Sequence, residues 1–381
     1  MTRLFKNKVL KTIPLMVLSI SLLFSGCSNS PKAENSKNAT ESPIPGAPSN
    51  EAKGIDNASS EQVEPTSTPQ TKDPIDLEKV KPNEAGKVMV VMFHNFVQSF
   101  TPSKYDNGEY TTTFDEFRKL LSTLYEKDYR LVSMSDYLNN NISVPAGCIP
   151  IIFTFDDGTA GQFNLIEENG KLVANKDSAV GVIEEFNKTH PDFGLRGMFY
   201  INLGNSTFEG AGTKEERLKY LVEKGFEIGN HTYTHINLSQ AKSADKIQEE
   251  IGNNQKVANE LLSGYKMTTF SLPYGAPSKD LQQYVQKGVY QDTEYEHKAI
   301  MEVGWDPTFS PVSKNFKPLS THRVRASGIK PVDADLAWWL KQLTRGEQYV
   351  SDGNPDTITV PKNKEEVVDK AKLSGKELIL Y

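Results

Sequence analysis

Cysteine is scarce in this chain of 381 residues, which contains only Cys27 and Cys148. Cys27 lies in an N-terminal segment that carries processing signals, so Cys148 is expected to be the single cysteine of the folded part. A single cysteine excludes an intrachain disulfide. The roughly three hundred residues that follow the N-terminal segments are long enough to form one large domain with its own hydrophobic core.

Blocks of basic residues are absent beyond the first few positions of the sequence. The formal net charge is −6 at pH 7. Proteins that bind nucleic acid usually present a basic patch or a basic stripe. Nucleic acid is therefore not an expected partner of this chain.

The uncharged segment from Thr12 to Phe24 is short for a stable membrane span. It follows a basic stretch that begins at Arg3, and this order predicts a secretory signal. The next residues, Ser25-Gly26-Cys27, resemble the lipobox of bacterial lipoproteins, although Phe24 stands where such signals usually carry Leu. The resemblance implies a signal peptide over residues 1–26 and acyl chains on Cys27.

Acyl chains on Cys27 would hold the protein on the outer, extracytoplasmic face of a bacterial cell membrane. The alternative is an ordinary signal peptide with an incidental cysteine. Residues 27–85 are rich in Pro, Ser and Asn and contain few large apolar side chains, so they predict a disordered tether. We expect a folded domain at residues 86–330, a packed C-terminal helix and tail at 331–381, and a monomer.

Apolar runs alternate with segments of helical period throughout the folded part. Strands are expected at 87–93, 129–132, 149–155, 196–203, 226–229, 270–273, 299–305 and 320–324, and helices at 114–127, 134–139, 179–189, 214–224 and 244–262. This alternation predicts the α/β class, with mainly parallel strands in a distorted (β/α) barrel. Chemistry in such barrels gathers at the C-terminal ends of the strands.

Two adjacent carboxylates, Asp156 and Asp157, end the apolar run 149–155. Apolar residues at nearly every position indicate a strand that is buried on both faces. Two half-buried carboxylates in contact repel each other unless a cation or a proton relieves them. An Asp-Gly turn is the simpler interpretation of this sequence, and a metal-assisted general base is the functional one.

The segment Gly229-Asn230-His231-Thr232-Tyr233-Thr234-His235 supplies two histidines four positions apart. On one turn of a helix, two such histidines face the same side and can bind one cation together. Capping or core histidines can produce the same spacing. With Asp157 added, the set of two imidazoles and one carboxylate suits Zn²⁺, and it also fits Co²⁺, Ni²⁺ and Mn²⁺.

The chain resembles the polysaccharide deacetylase family, also known as the NodB-homology domain or carbohydrate esterase family four. The matching stretches are TFDDG at 154–158, HTYTH at 231–235 and LPYG at 272–275, within a resemblance that spans about 88 to 325. The resemblance implies that Asp156 is the general base and that Asp157, His231 and His235 bind a divalent metal.

Further roles follow from the same resemblance. Pro273 and Tyr274 would line the sugar groove, and the Tyr274 backbone N–H would help to hold the oxyanion. Tyr233 and Tyr274 are the favoured candidates for stacking on a sugar, because they adjoin the motifs. Trp305 is a further aromatic candidate, although most aromatic side chains belong to the core.

A general acid must protonate the leaving amine, and two histidines compete for this role. Members of the family usually take it from a late Leu-x-His motif, but Leu319 and His322 are spaced one residue too far apart. The run Val-Met-Phe-His that ends at His94 resembles the opening motif of poly-N-acetylglucosamine deacetylases. His94 is therefore preferred, His322 is the alternative, and either can be a structural histidine.

Two departures from the family pattern affect the expected base. Ser271 stands where the family carries an Arg that pairs with the base, and residues 303–307 lack a clear Asp-Trp ending. An Arg beside a carboxylate lowers the carboxylate's pKa. Its absence therefore predicts a raised pKa for Asp156.

The sequence as a whole predicts an extracytoplasmic de-N-acetylase that hydrolyses N-acetylglucosamine units of peptidoglycan or an exopolysaccharide. One alternative keeps the fold and predicts an O-acetyl polysaccharide esterase. Another is a surface lipoprotein that binds glycans through an inactive site. The loss of the family's Arg favours the inactive protein, and the intact Asp-His-His set argues against it.

Overall fold

The computed structural model describes residues 75–104 and 106–381. The expected signal peptide, Cys27 and most of the expected tether lie outside these residues. Within the described ranges, no helix combines the length and the apolar composition that crossing a bilayer requires.

The strands form one large sheet and several small ones. In chain order they are β1 (Lys87–Phe93), β2 (Asn95–Val97), β3 (Thr111–Thr113), β4 (Tyr129–Leu131), β5 (Ile149–Asp157), β6 (Leu165–Glu168), β7 (Lys171–Ala174), β8 (Met198–Ile201), β9 (Glu227–Asn230), β10 (Thr269–Ser271), β11 (Lys287–Tyr290), β12 (Thr293–Glu296), β13 (Ala299–Met301), β14 (Thr308–Phe309), β15 (Val324–Arg325), β16 (Thr357–Val360) and β17 (Glu377–Leu380).

The helices lie mainly between the strands of the large sheet. They are α1 (Leu77–Val80), α2 (Phe114–Glu126), α3 (Met134–Leu138), α4 (Ala179–Thr189), α5 (Lys214–Glu223), α6 (Ala244–Leu261), α7 (Gln283–Gln286) and α8 (Leu336–Gln342). Thr113 and Glu116 form a capping box on α2, and Thr213 and Glu216 form one on α5. An N-cap side chain of this kind stabilises its helix by about 0.5–2 kcal/mol.

The large sheet has the order β13-β10-β9-β8-β5-β1, and all of these neighbours are parallel. One edge of β1 pairs with antiparallel β14 at its start and with parallel β15 at its end, and β4 pairs with β5. Parallel strands that alternate with helices confirm the predicted α/β class and its distorted barrel. The C-terminal ends of β1, β5, β9 and β10 therefore meet at one edge of the sheet.

Strand β5 crosses the core, and its side chains alternate between two apolar clusters. Phe153 and Phe155 face the cluster that covers α2 and α4, where the Phe155 ring stacks on Phe199 with 4.6 Å between centroids. Ile152 belongs to the second cluster on the other face. Burying such a side chain stabilises the fold by roughly 1.5–3 kcal/mol. By the period of two, Asp156 lies on the Ile152 face.

Some short elements were not predicted from the sequence. They are the hairpins β6–β7 and β11–β12 and the parallel pair β16–β17. The hairpin strands are partly exposed and carry charged side chains, so they lack the apolar runs that predict buried strands. The predicted strand at 299–305 ends at Met301, because the chain turns out toward solvent at exposed Val303 and Trp305.

A buried carboxylate, Glu84, joins the start of the barrel to the C-terminal segment. It is 1% exposed and accepts hydrogen bonds from the backbone N–H groups of Thr359 (2.8 Å) and Asp352 (3.2 Å) and from the Tyr349 hydroxyl (3.3 Å). Burial and the nearby Asp352 carboxylate raise the pKa of Glu84 to about 8, against hydrogen bonds that lower it. Glu84 therefore holds a proton near neutral pH.

We expect the free energy of unfolding to fall as pH rises from about 5 to 8. Folded Glu84 keeps its proton up to a pKa of about 8, whereas the unfolded chain releases it near the ordinary value of 4.5. The loss is on the order of 3 kcal/mol, and Glu84→Gln should remove it. Urea unfolding at several pH values, with chelator present throughout, measures this. Exposed Glu209→Gln is the control, and the same pH dependence in Glu84→Gln and the wild type would contradict the assignment.

Candidate active site

The two carboxylates that end β5 point to different places. Asp156 continues the strand and is 2% exposed, whereas Asp157 is half-buried at the edge of the sheet. Asp157 has a φ of 83° and Gly158 a φ of 71°, a backbone region that a non-glycine residue occupies only when its surroundings enforce it. This turn separates the two charges, so each carboxylate has its own partners.

Asp157, His231 and His235 form the cluster that the sequence indicated. The Asp157 Oδ1 atom lies 3.5 Å from His231 Nε2 and 3.2 Å from His235 Nε2. One ligand atom from each of the three residues lies within 4.8 Å of the others. The C-terminal ends of β5 and β9 bring these side chains together.

The expectation that His231 and His235 share a turn of helix is wrong. Residues 231–235 form an irregular turn after β9, in which Thr232 has a φ of 64° and His235 a φ of 60°. A spacing of four residues fits both a helical turn and this tighter turn. The positive φ values bring both rings to the same side, with 4.9 Å between their centroids.

Buried polar side chains hold this histidine turn in place. Asn202 donates to the carbonyl oxygens of His231 and Thr232, and Asn230 accepts from the Thr232 N–H at 3.0 Å. The Glu250 carboxylate on α6 accepts from the Thr234 N–H and hydroxyl, each at 2.9 Å. These contacts hold a strained turn in one conformation.

The donor set fits a divalent metal. His231 Nδ1 lies 2.8 Å from the Ser271 carbonyl oxygen, which fixes the N–H there and leaves Nε2 as the ligand atom. Zinc–ligand distances of 2.0–2.2 Å place neighbouring donors of a tetrahedral site about 3.3 Å apart, close to the separations seen. Burial raises the pKa of Asp157, but hydrogen bonds from both histidines outweigh this effect and keep it well below its usual range.

Arg323 supplies the cation that the sequence did not place beside Asp156. Its guanidinium binds both oxygens of the Asp156 carboxylate at 2.7 Å, and Arg323 itself is fully buried. The Ser271 hydroxyl donates to Asp156 at 3.0 Å and accepts from Arg323 at 2.9 Å. Ser271 therefore completes the pair at the position where the family carries its Arg.

The expected rise in the pKa of Asp156 is not what the structure gives. Burial does raise this pKa, but the charge and hydrogen bonds of Arg323 outweigh burial, and the net direction is down. The reason is that Arg323, from the segment just before β15, occupies the space beside Ser271. Asp156 is consequently an ionised carboxylate at neutral pH.

His94 and His322 lie in different surroundings. His94 is half-buried beside the cluster, where burial lowers its pKa and the charges of Asp156 and Asp157 raise it, leaving it lowered overall. His322 has a side chain that is 47% exposed, with Nε2 3.6 Å from a Glu302 oxygen. In an extended segment neighbouring side chains point to opposite faces, so the inward direction of Arg323 turns His322 outward.

The predicted sugar-contact residues differ in exposure. Tyr274 is 66% exposed, and its ring meets His235 edge-on with 4.8 Å between centroids. Pro273 before it is buried. Tyr233 packs against Gly204 and the main core cluster, which turns it away from the open edge, and Trp305 is 66% exposed.

Sequence reasoning missed the residues that position the site. Gln162 donates to the backbone oxygens of both His94 and Asp156, and Asn202 and Glu250 hold the histidine turn. Arg323 had one available signal, namely its place next to the candidate His322 in the last predicted strand, at 320–324. In a strand, a shift of one residue in register moves a side chain to the opposite face of the sheet. A polar residue next to a candidate site residue is therefore a candidate as well.

We expect His235→Ala to weaken zinc binding strongly, because it removes one of three ligands. Loss of a residue that only supports a ligand typically costs about 10–100-fold in affinity, and the loss here should be larger. His322→Ala is the matched control and should bind zinc as the wild type does. Isothermal titration of the metal-free proteins measures both affinities. Equal loss in the two variants, or no loss in either, would show that the ion binds elsewhere.

We expect Arg323→Gln to destabilise the protein by about 3–5 kcal/mol, because it leaves the Asp156 carboxylate buried without its cation. The double variant with Asp156→Asn should lose much less than the sum of the two single changes. Urea unfolding of the four proteins measures this coupling. Partly exposed Arg325→Gln serves as the control, with an expected loss of under about 1 kcal/mol, and strict additivity would contradict a direct ion pair.

Two solved structures from Bacillus species support the fold, and a third is similar at a lower score. A polysaccharide deacetylase from Bacillus cereus is 16% identical, with a TM-score of 0.51 over 68% of this chain and 70% of its own. A structure of the same type from Bacillus anthracis is 15% identical, with a TM-score of 0.50 over the same shares. A Streptococcus pyogenes deacetylase in complex with acetate is 17% identical, with a TM-score of 0.48 over 64% of this chain and 93% of its own.

Comparison with curated protein sequences found no match. The family model for polysaccharide deacetylase matches residues 143–291, a range that contains Asp156, Asp157 and both histidines of the cluster. His94 and Arg323 lie outside it. This match identifies a polysaccharide deacetylase domain within the chain, and such a domain makes the protein a hydrolase.

Proposed function

We propose that this protein is a metal-dependent de-N-acetylase of N-acetylglucosamine residues in a cell-surface polysaccharide, either peptidoglycan or an exopolysaccharide. The observation that carries the proposal is the pairing of two carboxylates with separate partners. Asp157 lies with His231 and His235, and Asp156 lies with Arg323. Such a pair suits hydrolysis, because one carboxylate can hold a cation while the other takes up a proton.

Asp157, His231 and His235 would hold the cation, and their ligand types favour Zn²⁺. When bound, a divalent cation activates water and polarises the carbonyl oxygen of an acetamide. The Ser271 carbonyl keeps His231 in the tautomer that this role needs. Three protein ligands leave positions open for the substrate.

Asp156 would accept the proton of the attacking water. Its lowered pKa keeps it ionised, and the two-oxygen contact with Arg323 fixes its orientation. Ser271 fixes it further. General base catalysis by a positioned side chain typically contributes about 10²–10⁴-fold in rate.

His94 would donate a proton to the departing nitrogen. A lowered pKa makes the protonated imidazole a stronger acid. Water adds to the acetyl carbon, the carbon–nitrogen bond breaks, acetate leaves, and the sugar keeps a protonated amine. An amine leaves poorly without this proton, whereas an O-acetyl ester needs it less, so a histidine beside the site favours the amide over the ester.

The Tyr274 backbone N–H is suited to hold the oxyanion. Tyr274 has a φ of 59°, and its N–H has no hydrogen-bond acceptor among the described residues. Because this N–H is already free beside the cluster, it can donate to the substrate oxygen as negative charge develops there, without first breaking another hydrogen bond.

We also propose that the enzyme acts at the outer face of a bacterial membrane. The sequence of residues 1–27 supports this part of the proposal through its resemblance to a lipobox. The tether predicted from residue 27 onward would end before α1, because Glu84 is already buried in the fold. It would let the domain reach a polymer beyond the membrane surface.

We expect the protein to release acetate from N-acetylglucosamine polymers, and we expect chelator or Asp156→Asn to lower this rate by about 10²–10⁴-fold. His322→Gln is the matched control and should keep the wild-type rate. Enzymatic measurement of acetate on N-acetylated and O-acetylated polymers distinguishes the two reactions. Faster release from the O-acetyl polymer would favour the esterase, and no release from any polymer would favour the binding protein.

A further inference from the structure

A polar wall lies beside His94 and takes no part in the proposed chemistry. It consists of Glu109 and Tyr110, at the end of the segment that follows β2, and of Arg325 in β15. Arg325 lies two residues beyond Arg323, so the period of two places both on the same face of the extended segment. Arg323 reaches inward to Asp156, and Arg325 lies nearer the open edge with a side chain that is 21% exposed.

Tyr110 connects this wall to the candidate acid. Its ring meets the His94 ring edge-on with 5.2 Å between centroids, and the Arg325 guanidinium lies 5.0 Å from the centroid of the same ring. Tyr110 is nevertheless 37% exposed. An aromatic ring fixed by two neighbours and still open to solvent is a preorganised contact surface.

The backbone that carries Tyr110 is held rigidly by Asp106. The carboxylate accepts from the N–H groups of Gly108 (2.7 Å) and Glu109 (3.0 Å) and from the Thr111 hydroxyl (2.5 Å). The Lys330 N–H donates to the Gly108 carbonyl at 2.8 Å. Tyr110 and Arg325 therefore belong to two segments that are bonded to each other.

The charges of the wall are balanced. Arg325 Nη1 lies 3.5 Å from Glu109 Oε2, and the Glu109 side chain is 37% exposed. The pair presents several N–H donors and a carboxylate acceptor beside an aromatic ring. This combination suits a sugar, which has an apolar face for the ring and hydroxyls for both polar groups.

We propose that Tyr110, Arg325 and Glu109 bind an uncharged sugar residue next to the one that is deacetylated. The inference rests on the proposed function and narrows its substrate class to polymers of neutral residues. An anionic sugar would meet the Glu109 carboxylate and would compete with it for Arg325, at a cost from like charges. A neutral sugar hydroxyl can accept from Arg325 and donate to Glu109 at the same time.

The test compares kcat/KM on a neutral N-acetylglucosamine pentamer with kcat/KM on the methyl glycoside of one N-acetylglucosamine. We expect Tyr110→Ala to lower this ratio about 10-fold, mainly through KM on the pentamer. Tyr110→Phe keeps the ring and should keep the ratio. Tyr290→Ala, which removes a partly exposed tyrosine on β11, is the matched control and should leave both values unchanged.

A second arm tests the preference for neutral residues with a glycan strand in which every other sugar carries a carboxylate. The wild type should prefer the neutral pentamer, and Glu109→Gln should raise activity on the anionic strand several-fold relative to the pentamer. A wild-type preference for the anionic strand, or a Glu109→Gln variant without this shift, would overturn the choice of a neutral sugar.

The two proposals fail in different ways. A wild type that releases acetate from no glycan contradicts the proposed function. A wild type that is active, with the same pentamer-to-monomer ratio in Tyr110→Ala, contradicts the subsite alone. Circular dichroism of each variant checks that a lowered pentamer-to-monomer ratio of kcat/KM does not come from unfolding.

Discussion

The structure depends on one buried ion pair, between Asp156 at the end of β5 and Arg323 beside β15. Both side chains are almost completely removed from water, where an unpaired charge is costly. Each charge stabilises the other. The Ser271 hydroxyl bonds to both groups, and the Thr154 hydroxyl and the Glu302 carbonyl oxygen accept further hydrogen bonds from Arg323. The pair keeps a carboxylate ionised inside the protein, and it joins the segment just before β15 to the C-terminal end of β5.

The second constraint is the separation of two adjacent carboxylates. The positive φ of Asp157 turns it away from Asp156, so a cation can be held on one side while a proton is accepted on the other. The histidine turn carries similar strain at Thr232 and His235, and buried Asn and Glu side chains hold it. Strain of this kind is stable only where surrounding contacts over-determine the backbone.

Much of this arrangement could be predicted from the sequence, because apolar runs indicate buried strands and Asp156, Asp157, His231 and His235 form recognisable motifs. The helical geometry of the histidine pair could not, since a spacing of four fits two backbone conformations. Arg323 could not be chosen over His322 because that choice depends on the register of β15 against β1, which is a tertiary property. Tyr233 adjoins a motif but packs on Gly204, which only the fold reveals.

The ion pair joins residues that lie 167 positions apart in the chain, and the segment with Arg323 enters the sheet after every other strand that forms the site. During synthesis the Asp156 carboxylate is made long before its cation exists. Until the segment with Arg323 packs against β5, full burial of β5 would leave the Asp156 carboxylate without its cation. Contacts between residues so far apart in the chain form slowly, so we expect the Asp156–Arg323 pair to be among the last contacts of the sheet to form.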